Sequence, residues 1–166
     1  MAVLKIVHGK YRNIDATDKL IAYVLDREKM YSNCFGGTGV SLECPAYSMN
    51  YVKQVFGQNT GKMAQHMILA FEKSEVSNLT IQKIFELSYD ICEFFAGVQV
   101  LFALHEISDS DEISNNLHIH FVINTVDVRT GRKFRLDYSN EFHLKNYMEN
   151  LLANYNIGDK VKLVVG

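Results

Sequence analysis

The residues best suited to chemistry in this sequence lie in "NNLHIHFVINTVDVRTG" at 115–131, where His118 and His120 occupy alternate positions. Successive side chains on a β-strand point to opposite faces. On such a strand His118, His120, Val122 and Asn124 share one side and Leu117, Ile119, Phe121 and Ile123 the other, which predicts a core face and a face of paired imidazoles. Upstream, "VQVLFALHEI" alternates in the same way, with Val98, Val100, Phe102 and Leu104 facing one way and Gln99, Leu101, Ala103 and His105 the other. The loop between them is short enough for strands over 98–107 and 116–127 to pair antiparallel. If their apolar faces pack on the same helices, His105 falls beside His118 and His120. Imidazole is a common ligand for Mn²⁺, Zn²⁺, Ni²⁺ or Co²⁺, and three of them leave positions for substrate oxygens and water, as a Lewis-acid site requires. Another reading of the same stretch takes His118, His120 and an acid, Glu106 or Asp109, as a facial triad for small-molecule chemistry.

The elements that position these residues are legible around them. "AVLKIVHG" reads as a first strand, and Asp15 as the cap of a helix whose stripe is Leu20, Ile21, Val24 and Leu25. Tyr23 lies about 130° from the centre of that stripe and is expected at the helix edge or beyond. "CFGGTGVSLECP" reads as a glycine-rich turn segment leading to a helix that starts at Pro45. A strand "MAQHMILAFE" carries His66, and an amphipathic helix over 78–96 ends at Gly97. "TGRKF" reads as a turn into a short basic strand, "EFHLKNYMENLLANYN" as a last helix and "KVKLVVG" as a final strand or tail. The expected architecture is α/β of the α+β kind: a mainly antiparallel central sheet, helices on one face, and a histidine-lined site on the other.

With 166 residues, the chain reads as one domain able to bury a full core unaided. Its 17 Lys+Arg against 19 Asp+Glu exclude broad attraction to nucleic acid and leave room for a local basic patch. Arg129, Arg132, Lys133 and Arg135, just after the histidine strand, are the candidates to grip phosphates. Three cysteines without CxxC spacing point to no disulfide framework or zinc ribbon, and no apolar run has the length of a membrane span. A cytoplasmic protein is expected.

His105 followed by "LHIHFVINTVDVRTGRKF" resembles the third motif of relaxases, the mobilisation nucleases of plasmids and integrative elements within the HUH endonuclease superfamily. The positions that match are His105, His118, His120, Asn124, Thr130, Gly131, Arg132, Lys133 and Phe134. "LIAYVLDREK" is similar to the family's first motif, a helix presenting a nucleophilic tyrosine, here Tyr23, and His66 occupies a family position on its strand. An Asp usual two residues after the first histidine is replaced by Ile107, with Glu106, Asp109 and Asp111 nearby. The resemblance implies site- and strand-specific nicking and rejoining of DNA at an origin of transfer through a 5′-phosphotyrosyl intermediate. It implies Tyr23 as nucleophile, a divalent metal (Mn or Mg before Zn, Ni or Co) on the three histidines, and supporting places for Asn124, Glu106 and His66. Single-stranded DNA and accessory mobilisation proteins are the implied partners, and residues 1–166 would be one nuclease domain, alone or as the N-terminal part of a longer protein. Replication initiators and single-strand transposases of the superfamily carry a later tyrosine, for which Tyr138, Tyr147 and Tyr155 are available; Tyr147 is the chief competitor, although Leu144, Met148, Leu151 and Leu152 around it favour core packing.

Overall fold

The computed structural model describes residues 1–106 and 117–166. In chain order these form β1 (Ala2–Val7), α1 (Ala16–Val24), β2 (Met30–Thr38), α2 (Pro45–Val55), β3 (Ala64–Ala70), α3 (Lys73–Val76), α4 (Ile81–Cys92), β4 (Val98–His105), β5 (His118–Asp127), α5 (Tyr138–Asn154) and β6 (Val161–Val165). The strands make one sheet in the order β2-β4-β5-β3-β1-β6, antiparallel at every step except the parallel β1–β6 pair. The expected mixed α/β fold around a largely antiparallel sheet is the one observed, and the closing segment is a strand.

Alternation on the central strands divides the sheet as the sequence predicts. Val100, Phe102 and Leu104 of β4 and Ile119, Phe121 and Ile123 of β5 pack with Ile84, Leu87 and Ile91 of α4 and Leu144, Met148 and Leu152 of α5. On the reverse face, Leu101, Ala103 and Val122 meet Leu20, Ile21 and Val24 of α1 and Met49 of α2. This corrects the expectation of helices on one face alone. The stripe of α1 must be buried somewhere, and the short side chains of Ala64, Ala103 and Val122 give it a seat on the histidine side. Burying each of its large aliphatic side chains contributes about 1.5–3 kcal/mol relative to exposure, which fixes the helix that carries Tyr23.

A buried polar seam joins the same elements. Lys53 of α2 is 1% exposed, and its Nζ donates to Thr17 Oγ1 at 2.8 Å, the Met63 carbonyl at 2.8 Å and Asn124 Oδ1 at 3.2 Å. Asn124 Nδ2 in turn donates to the Met49 carbonyl and to Gln99 Oε1. All three ammonium donors are therefore used, and α1, α2, β4 and β5 are tied through two side chains. Asn124, a supporting site residue on sequence grounds, does its work here as an architectural link. Burial, followed by the nearby Lys133, lowers the Lys53 pKa to about 8.

In the glycine-rich segment read as a turn, the turn itself begins after Thr38, and the first part is instead the end of strand β2, paired with β4 at the sheet edge. Its glycines serve close approach: a Cβ at Gly36 would lie 2.6 Å from the Tyr89 hydroxyl and 2.7 Å from the Phe102 ring, and one at Gly37 would lie 2.4 Å from the Val100 carbonyl. The helix expected over 78–96 begins later, at Ile81 after the cap Thr80, whose Oγ1 accepts from Lys83 N, and finishes in a 3₁₀ turn over Glu93–Phe95. Asp15 takes the N-cap position of α1, as expected, but its carboxylate pairs with Lys19 and makes no capping hydrogen bond to the backbone. The basic strand after "TGRK" reduces to a single bridge between Val126 and Lys133.

Two measurements check this packing. Gly36→Ala is expected to destabilise the fold by about 1–3 kcal/mol through overpacking, read as a fall in thermal midpoint; an unchanged midpoint would show that Tyr89 moves aside at no cost. The folded pKa of Lys53, about 8, lies below its usual 10.5, so the stability it contributes is complete above 10.5 and is lost as pH falls toward 8. The difference in unfolding free energy between wild type and Lys53→Met should rise with pH across that window, whereas a flat difference would mean that the ammonium is buried without penalty.

Candidate metal and nucleophile site

The register of the central strands brings the motif histidines together. His105 faces His118 across the β4–β5 pair, and His120 lies beside Ala103 of β4 and Ile68 of β3. The ring centroid of His105 is 4.3 Å from that of His120 and 5.5 Å from that of His118, and His118 and His120 are 5.0 Å apart. One nitrogen from each of the three buried rings lies within 4.8 Å of the others, a spacing from which they could hold one divalent cation.

Two hydrogen bonds determine which nitrogens face inward. His105 Nε2 donates to the Val24 carbonyl at 2.7 Å, one of the end-of-helix carbonyls that have no intrahelical partner, so Nδ1 is the nitrogen able to meet a cation. His120 Nδ1 is 2.9 Å from His66 Nε2 in a stacked ring pair, and His66 Nδ1 is 2.8 Å from the Tyr11 hydroxyl. His120 Nε2 is buried and has no hydrogen-bond partner among the described residues. A buried nitrogen in that condition is costly unless something ligates it. If it binds metal as neutral imidazole, His120 Nδ1–H donates to His66 Nε2, and His66 Nδ1–H donates to Tyr11 Oη. The residues present therefore fit a divalent cation. Burial first, then Lys5 and His105, hold the His66 pKa down at about 3, and burial with His66, His105 and His118 holds His120 well below its ordinary value. Both rings are thus neutral, the form that ligates.

Tyr23 stands over this cluster. It is the next-to-last residue of α1 and 39% exposed, with its ring centroid 5.6 Å from His120, 6.4 Å from His105 and 6.5 Å from His66. The burial of Leu20, Ile21 and Val24 on one side of α1 turns Tyr23 to the helix edge, as its spacing predicts. Lys29 Nζ sits 4.5 Å above the centroid of the same ring.

Other candidates lie elsewhere. Glu106 lines a cavity with Tyr31, Leu79 and Ile84 on the opposite face from the histidines, so it is no part of a triad with them; Asp109, Asp111 and Ile107 fall outside the described residues. His105 and His120 are instead oriented by a backbone carbonyl and by His66. Tyr147 and Tyr155 donate to the Asp90 carbonyl and carboxylate, each at 2.6 Å, and Tyr138 is 86% exposed at the start of the same helix, α5, which packs on the far side of the sheet. The basic run follows the end of β5, about 30 Å along the strand from His118. Arg129 is paired with Asp127, Lys133 donates to the carbonyls of Gln58 and Lys62, Arg132 is exposed, and Arg135 lines a small cavity with Lys10, Arg12 and Lys62. Sequence reasoning missed Tyr11 and Lys29. Tyr11 lies in an aperiodic loop, and its one structural oddity, a φ of 66° in a bulky residue, is visible only in the backbone.

No helix among the described residues is long and apolar enough to cross a membrane. Residues 23–157 match the family described as "Relaxase: MobA/VirD2-like, nuclease domain". Protein rlx of Staphylococcus aureus is 24% identical over 168 residues, a match that takes in 98% of this chain and 45% of the relative, so the chain spans less than half of that protein. A chain solved in work on the molecular basis of vancomycin resistance transfer in Staphylococcus aureus shares the fold, with a TM-score of 0.50 and 14% identity over 78% of this chain and 70% of that one. The family match starts at Tyr23 itself and takes in all three clustered histidines; the chain belongs to the relaxase family, in its MobA/VirD2-like nuclease domain.

Proposed function

We propose that this chain nicks and rejoins one strand of DNA at an origin of transfer, with Tyr23 as nucleophile. The observation that carries the reading is an exposed tyrosine whose ring lies within 6.5 Å of three buried imidazoles, two of them members of a preformed ligand set. Family membership supports the same chemistry. Residues 1–166 act in this reading as one nuclease unit, in the cytoplasm, on single-stranded DNA presented with accessory mobilisation proteins.

A phosphodiester repels an attacking oxygen, so cleavage needs positive charge on the non-bridging oxygens and a nucleophile held in line. A divalent cation on His105, His118 and His120, Mn²⁺ or Mg²⁺ before Zn²⁺, Ni²⁺ or Co²⁺, supplies that charge when bound. Tyr23 Oη attacks phosphorus as the phenolic proton leaves to solvent. The Oη–P bond forms, the P–O3′ bond breaks, and the 3′-oxygen takes a proton to leave as a hydroxyl. One ester replaces another, so the reverse step rejoins the strand. A free phenol titrates near pH 10 and is a weak nucleophile at neutrality; the Lys29 ammonium over the ring stabilises the negative oxygen during attack. His66, held by Tyr11, fixes the tautomer of His120 and takes the place of the orienting acid.

Tyr23→Phe removes the attacking oxygen while leaving the buried stripe of α1 intact. It should bind labelled single-stranded oligonucleotides from the native element as wild type does and form none of the denaturant-resistant adduct that wild type forms with Mn²⁺ or Mg²⁺. An adduct persisting in this variant would move the nucleophile elsewhere. His66→Ala should weaken divalent-metal binding by about 10–100-fold, the usual effect of losing a partner behind a ligand, as read by titration calorimetry without DNA. His66→Gln, which retains an acceptor for His120 Nδ1–H, should recover part of that affinity, and equal affinity in all three proteins would leave His66 as packing.

A further inference from the structure

A groove of about 590 Å³ opens beside Tyr23 and His66. Its floor is the part of the histidine face left beyond α1, where Lys5 of β1 pairs in register with Ile68 of β3, and its far wall is the loop carrying Lys10, Tyr11 and Arg12. Lys10 and Arg12 also line a second cavity of about 230 Å³, which they share with Lys62 and Arg135. The charges along this path are unequally matched. Lys19 is paired with Asp15, and His8 meets Glu141. Among the described residues, no carboxylate forms an ion pair with Lys5, Lys10, Arg12, Lys62 or Arg135. Lys62, whose Nζ is 3.4 Å from the Val7 carbonyl, has its pKa lowered by burial and then by Arg12; Glu141, itself paired with His8 at the cavity wall, opposes this in part, so positive charge prevails here.

We infer that the second cavity binds a backbone phosphate of the DNA strand flanking the cleaved bond, through Lys10, Arg12, Lys62 and Arg135, with the groove past Tyr11 as the strand's path from Tyr23. This rests on the nuclease reading and adds a site remote from the reacting atoms. A small free anion would need only the cations. The groove adds the apolar side chains of Val7, Leu20 and Ile68 and the rings of Tyr11 and Tyr23, and that pairing of a cationic track with surfaces for bases is what single strands require. Arg135, and not the more prominent Arg129 or Lys133 of the basic run, is the member of that run that lines the cavity.

The test is binding of a fluorescent single-stranded oligonucleotide of about 20 nucleotides, chosen to exceed an ordinary single-strand site, by anisotropy across a range of salt concentrations. Lys10→Ala with Arg12→Ala, and separately Arg135→Ala, should weaken binding several-fold at low salt and reduce the slope of log affinity against log salt by about 0.7 per phosphate contact removed. All three residues are exposed, and unchanged melting will show that the fold is intact. Lys83→Ala, an exposed lysine of α4 paired with Glu86 on the opposite face, should change neither quantity. Adduct formation by wild type is measured in parallel. If wild type forms the adduct but the cavity variants keep the wild-type slope and affinity, the phosphate site is overturned while the nuclease reading stands. If wild type forms no adduct yet the variants lose slope, the nuclease reading fails and the binding site remains.

Discussion

The hydrogen bond from His105 Nε2 to the carbonyl of Val24 joins the two halves of the site. On one side is a ring at the end of β4 that belongs to the histidine cluster. On the other is the residue next to Tyr23, at the end of the helix that carries the proposed nucleophile. A helix terminus has carbonyls to satisfy, and a metal-ligating histidine needs an acceptor for its second nitrogen; one contact meets both needs. The position of Tyr23 over the cluster and the orientation of His105 within it are therefore a single structural fact. A shift of α1 along the sheet would disturb both.

What holds α1 in that place is packing and a polar seam acting together. Leu20, Ile21 and Val24 are buried against Ala103 and Val122, side chains small enough to let a helix approach the sheet. Beside them Lys53 and Asn124 satisfy one another and the backbone in a fully buried network. An apolar patch alone would allow the helix to slide, whereas a satisfied network of hydrogen bonds in a low dielectric accepts few arrangements. The burial that secures α1 also desolvates His66 and His120 and keeps them neutral. Docking of the helix and readiness of the ligands thus come from the same exclusion of water.

Much of this is legible in the sequence because strand alternation is a strict local rule. It placed Gln99, Leu101, Ala103 and His105 on one face and His118 and His120 on the same one, and the spacing of Leu20, Ile21 and Val24 put Tyr23 at the helix edge. The rest depends on contacts between distant residues. Tyr11 meets His66 across 55 positions, and Lys53 meets Asn124 across 71, with no local pattern to announce either. Gly36 and Gly37 misled because glycine marks both a turn and a close approach, and only the ring of Tyr89 above the strand tells which. Sequence adjacency to a motif strand says little about distance once that strand extends about 30 Å, and of the basic run it is Arg135 that lines a cavity with Lys10, Arg12 and Lys62. Lys29 sits over the Tyr23 ring, and Lys5, Lys10 and Arg12 of the adjoining groove come from β1 and the loop after it, a segment without a charge run.

The two orienting contacts decide which ring nitrogens would face a bound cation. Nitrogen-15 NMR of the histidine rings, recorded with and without Zn²⁺ as a diamagnetic stand-in, reads this directly. Metal-dependent shifts are expected at Nδ1 of His105 and Nε2 of His120, with His66 remaining an unligated neutral ring bonded to His120 Nδ1. Ligation of His105 through Nε2 would require the contact to Val24 to break, and ligation of His120 through Nδ1 the contact to His66; either result would overturn this orientation of the rings.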